Sequence, residues 1–174
     1  MQPGCKDDMP AATTYMYKPQ RNTDTGEERI ALRLGYIAGK ELGGYIKASV
    51  TNRLEGGRSN ILQMFSAPKM MKNSLIKVSW SLTQMNLLRI SNKLPLFDQR
   101  YSLVTRSVTA EDQYDSLFTD STVLPNHGHT YERLYKAMSE IYNHIKKNSD
   151  ITITGGTFYF KLDDAEKPVL IFAT

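Results

Sequence analysis

Four short stretches carry residue types that could do chemistry. In NHGH, His127 and His129 stand two apart, close enough for both imidazoles to reach one metal ion. Further ligands would have to come from Asp120 or the distant His144, so the pair defines no site and a loop accounts for it. YIAGKE looks at first like a phosphate loop. However, Gly35 and Gly39 are separated by three residues instead of four, and Glu41 follows Lys40 where a hydroxyl should meet magnesium. Asp163 and Asp164 could be paired carboxylates, but beside Glu166 and Lys167, between two apolar runs, they read as a hairpin turn. Cys5 lies in a polar N-terminal stretch with no nearby histidine to activate a thiolate. The residues offer no catalytic set, no metal site, no cofactor motif and no small-molecule substrate. The expectation is a protein that is not an enzyme.

What remains is chemistry of surfaces. The stretch MFSAPKMMK places Met64, Phe65, Met70 and Met71 beside Lys69 and Lys72, with Pro68 between the halves. Proline excludes a helix interior or a central strand, so this is a loop or a short helix. Its apolar residues have three homes open to them: the core, a lipid surface, or a second copy of the chain. The charge distribution points the same way. The formal net charge is +4, yet residues 30–110 hold twelve cations against three anions. Arg53, Arg58, Lys77, Arg89, Lys93, Arg100 and Arg106 belong to this block, which would attract phosphate on RNA or on an anionic lipid face. RNA-recognition motifs are absent. Tyr101, between Arg100 and Arg106, could stack a base, although a strand with one exposed aromatic explains it as well.

With 174 residues, 40% hydrophobic and 23% charged, the chain is long enough for one domain with a proper core. No apolar run approaches the ~20 residues that span a bilayer, and MQPGCKDDMP does not read as a signal peptide. A single cysteine forms no internal disulfide, which suits the cytosol, the nucleus or an inner membrane face.

Residues 1–29 are polar and aperiodic, and we expect a mobile arm there, followed by a single globular domain over 30–174. RIALRLGYI alternates as a half-buried strand, Gly39, Gly43 and Gly44 mark a turn, and YIKASV reads as a second strand. In IKVSWSLT, Ile76, Val78, Trp80 and Leu82 face one way while Lys77, Ser79, Ser81 and Thr83 face the other. A bulge or bend before LLRI, a strand over RYSLVTRSV, a helical turn within 109–118 and a loop over STVLPNHGH follow. TYERLYKAMSEIYNHIKK repeats apolar residues at helical spacing through Tyr131, Leu134, Tyr135, Met138, Ile141, Tyr142 and Ile145. Thr130 would cap that helix and Glu132 would pair with Lys136. The expected architecture is α+β: a mainly antiparallel sheet with one long amphipathic helix, about 130–147, packed on it, plus one or two short helices.

A short basic chain with a polar arm, a strand-rich body, a late helix and the loop MFSAPKMM resembles the matrix proteins of negative-strand RNA viruses. The small matrix proteins of plant-infecting rhabdoviruses are the nearest pattern. The arm lacks the Pro-Pro-x-Tyr motif common in animal rhabdovirus matrix proteins, and FSAP lacks the first proline of the Pro-Ser/Thr-Ala-Pro motif. YDSL and YERL match the loose Tyr-x-x-Leu pattern.

The resemblance implies a virion structural protein, peripheral at membranes in the host cytoplasm, with the nucleus also open. It implies self-association, contact with nucleocapsid or RNA, and binding to anionic lipid through Met64, Phe65, Pro68, Lys69, Met70, Met71 and Lys72. An RNA-binding or silencing-suppressor protein of a virus would use the same basic block. An enzyme of unfamiliar type would need a concave pocket with converging polar groups.

Overall fold

The computed structural model describes residues 7–21, 28–50, 60–68, 70–109 and 115–174. The chain is α+β with two antiparallel sheets, and it divides into two compact units instead of the single body expected from residue 30 onward. The first comprises residues 1–65 and 94–118, the second residues 66–93 and 119–174.

The first unit is built on a three-stranded sheet. Strand β1 (Pro10–Arg21) lies in its centre, between β2 (Glu28–Ala38) and β3 (Asn60–Met64). The expected arm is therefore, over residues 10–21, a central strand. Ala12, Thr13, Thr14 and Tyr15 are buried in succession, as a strand covered on both faces requires. Pro19 is tolerated because β3 pairs only with Ala12–Met16; at Pro19 the ladder continues on the β2 side alone. The Tyr15 hydroxyl donates to Gln63 Oε1 at 3.0 Å, joining β1 to β3.

Helix α1 (Gly39–Val50) occupies the stretch expected to be a glycine turn and a second strand. The deciding contacts come from the turn before β1. Gly39 N–H donates to the Met9 carbonyl and Lys40 N–H to the Asp7 carbonyl, each at 3.1 Å, so two helix-terminal donors are satisfied by residues thirty positions away. Lys40 Nζ also pairs with Asp8 Oδ1 at 2.5 Å. This hydrogen bond holds the Asp8 carboxyl below its ordinary 3.8 and the Lys40 ammonium above its ordinary 10.5. The lowered Asp8 value contributes stability above pH 3.8 that is lost as pH falls through the folded value. The raised Lys40 value contributes stability below pH 10.5 that is lost as pH rises through its folded value. In thermal melts, the small gap between wild type and Lys40→Met is expected to be widest between those limits and to close beyond both. A gap unchanged at pH 2 would contradict the pairing.

Gly43 and Gly44 need no special backbone: a Cβ at either meets nothing within 4 Å. Alanine at each is expected to stabilise the chain by about 0.5–1 kcal/mol, read as a higher denaturant midpoint. RYSLVTRSV, expected as a strand, instead contains the short helix α2 (Leu103–Ser107), because Ser102 accepts a hydrogen bond from Thr105 N–H at 3.1 Å and caps it. Helix α3 (Asp115–Phe118) is a single turn.

The second unit holds a five-stranded sheet in the order β6-β5-β4-β7-β8: β6 (Thr119–Leu124), β5 (Met85–Pro95), β4 (Lys72–Ser81), β7 (Gly155–Leu162) and β8 (Pro168–Ala173). β5 runs across the boundary, its last two residues belonging to the first unit. The β4–β5 turn closes when Ser81 N–H donates to the Gln84 carbonyl at 2.8 Å and Gln84 N–H to Ser81 Oγ at 3.1 Å. Leu82, expected to continue the buried face of IKVSWSLT, is exposed in that turn. β6 turns the first part of the expected STVLPNHGH loop into an edge strand on β5.

Helix α4 (His129–Asn148) follows Gly128, whose φ of 89° places it in the left-handed region. No side chain caps it, so Thr130 lies inside the helix instead of at its cap, and Lys136 sits near Glu140 (4.0 Å), not Glu132. Leu134 and Met138 are buried with Ile76, Val78, Met85, Leu87, Phe158 and Phe160. The stripe read from the sequence is wider than the buried face: Tyr135 lies at its margin and is 54% exposed.

Candidate contact surface and ring-lined pocket

The apolar stretch around Pro68 splits between two fates. Phe65 is buried, 8% exposed; its N–H extends the ladder to the Ala11 carbonyl at 2.9 Å and its ring meets Tyr36 edge-on at 6.1 Å. The expectation that Phe65 is a surface contact is corrected: strand pairing carries it one residue beyond β3 into the core of the first unit. Met64, one residue earlier, is 85% exposed. In the second unit Met70 and Met71 are 74% and 70% exposed, and Lys72 is exposed at the start of β4. Pro68 is half-buried, and Lys69 lies outside the described residues.

Of the seven basic residues expected to meet an anionic surface, the five among the described residues do not form one face. Arg106 is buried at 5% exposure, where its Nη2 donates to the Asp8 carbonyl at 2.8 Å. Its guanidinium fixes the N-terminal turn, which corrects its assignment to surface binding. Arg100 forms a two-pronged pair with Asp98, at 2.9 and 2.7 Å, that pushes the carboxyl below its ordinary range. Lys93 lies 3.4 Å from Asp120. Lys77 alternates with core residues Ile76 and Val78, whereas Arg89 has the parity of core residues Met85 and Leu87. These two cations therefore leave opposite faces of the sheet. Arg53 and Arg58 lie outside the described residues.

The residues weighed for other chemistry are placed as follows. His129 Nδ1 is 3.5 Å from Glu166 Oε2, and His127 is exposed in the preceding loop. Among the described residues no three His, Cys, Asp or Glu side chains are grouped to hold a metal ion. Asp163 Oδ1 accepts the Ala165 and Lys167 N–H groups at 3.0 and 2.7 Å, the work of a turn residue. Cys5 lies outside the described residues.

Sequence reasoning missed a pocket in the second unit. It opens between the β4–β5 turn and α4, with a volume of about 440 Å³. Trp80, Tyr131, Tyr135 and Tyr142 supply aromatic walls, while Asn126 and Asn143 supply amides. Trp80 and Tyr142 are 5.5 Å apart between ring centres, tilted by 47°, and Tyr131 and Tyr135 run nearly parallel at 6.2 Å. The available signal was the spacing of Tyr131, Tyr135 and Tyr142 along the helical stripe.

No protein-family model matches this chain, and no curated protein or solved structure matches it either.

Proposed function

We propose that the chain is a structural protein of viral matrix type, which associates with itself and bridges a nucleocapsid to the inner face of an anionic membrane. The observation that carries this reading is the exposure of Met70 and Met71 immediately before Lys72. A methionine moved fully out of water gains about 1.5–3 kcal/mol, and each lysine near an anionic bilayer adds about 1 kcal/mol. Shallow insertion of two such side chains gives reversible, salt-sensitive attachment without an anchor. No helix among the described residues is long and apolar enough to cross a membrane.

Self-association has its own support in the first unit. β3 lies at the edge of its sheet and leaves Ile61, Leu62 and Met64 exposed, which makes it a template for pairing with another strand.

The test is flotation with neutral and anionic vesicles at low and moderate salt, with RNA as competitor. Flotation with anionic vesicles alone, weakened by salt, supports the reading. Retention on RNA without flotation favours an RNA-binding viral protein, the reading to which the aromatic pocket lends weight.

A further inference from the structure

The pocket against α4 has a chemistry the membrane contact does not use. Its volume falls within the range of ligand pockets, roughly 300–1,000 Å³. Every residue lining it is uncharged. A bare phosphate or carboxylate would find no counter-charge in such walls. A flat neutral ring would find faces to stack on, and amides that both donate and accept to read its edge. The hydroxyls of the three tyrosines and the amides of Asn126 and Asn143 hold no hydrogen bond among the described residues, so they meet a ligand without breaking an internal one. One turn beyond, Lys146 places its ammonium 5.8 Å from the centre of the Tyr142 ring, leaving a cation beside the aromatic wall.

We propose that this pocket receives one unpaired nucleobase of single-stranded RNA, stacked on the tyrosines of α4, with Lys146 meeting the adjoining phosphate. A base stacked on an aromatic side chain suits a chain with a sequence pI of about 9.1, and the absence of charge inside the pocket separates base from backbone. A neutral sugar also stacks on aromatic rings, but it would leave the lysine without a role. The pocket shares no residue with the methionine contact, so either assignment can fail alone.

Trp80 is the sole tryptophan and lines the pocket, so its fluorescence reports occupancy directly. The full chain is titrated with a short single-stranded RNA, its duplex, a nucleoside monophosphate and a neutral trisaccharide. The expected result is a saturable change in Trp80 emission with single-stranded RNA, a weaker one with the free nucleotide, and none with duplex or sugar. Tyr135→Ala, at an exposed position, should keep the melting temperature and weaken RNA binding roughly 5- to 100-fold, while Tyr135→Phe, which keeps the stacking ring and loses only the hydroxyl, should weaken it far less. An equal response to duplex, a response to the sugar, no response to RNA, or unchanged affinity in Tyr135→Ala would each overturn the assignment. A nucleotide bound as tightly as RNA would overturn the RNA source.

Discussion

Phe65→Ser is expected to lower the stability of the first unit by about 3–5 kcal/mol, the cost of emptying a buried phenylalanine site and placing a hydroxyl in apolar surroundings. The ring packs edge-on against Tyr36, and its own backbone continues the ladder onto β1 beyond the last residue of β3. The loss therefore falls on a sheet whose central strand already contains Pro10 and Pro19. Chemical denaturation followed by the tyrosine signal reads the change, and a loss below 1 kcal/mol would return Phe65 to the surface.

The serine pair Met70→Ser and Met71→Ser is expected to do the reverse: leave the melt unchanged and remove surface binding. Both side chains are more than two-thirds exposed, so the folded state loses little packing. If each methionine buries about half its surface on a bilayer, the pair supplies about 1.5–3 kcal/mol, and vesicle affinity falls roughly 10- to 150-fold. Lys72→Ala alone, carrying one charge beside the surface, is expected to cost about fivefold.

The class of fold was legible because IKVSWSLT alternates and the stretch from Tyr131 to Ile145 repeats at helical spacing. Local patterns of this kind survive whatever the rest of the chain does. What was not legible rests on distant partners. GKELGGYIKASV contains three glycines and a run of strand formers, yet it is helical because backbone carbonyls of Asp7 and Met9 close its first turn. PAATTYMYKPQR is polar and bounded by prolines, yet it is a central strand because neighbours pair with it on both sides.

The candidate site was legible in part for the same reason. Adjacency in sequence joined Phe65 to Met70 and Met71, but the sheet takes the first and leaves the other two exposed. A charge count treats every cation as solvated, whereas Arg106 is buried on the Asp8 carbonyl and Arg100 is occupied by Asp98. The pocket needed the β4–β5 turn brought against α4, some fifty residues apart in sequence, a juxtaposition that periodicity within either segment does not encode.

The most direct measurement of the central claim is the fraction of protein that floats with anionic vesicles, wild type beside the Met70→Ser/Met71→Ser variant, at equal melting temperature. The account predicts that wild type floats and the variant stays with the soluble fraction. Equal flotation of the two would contradict it, and would move the membrane contact away from the residues before β4.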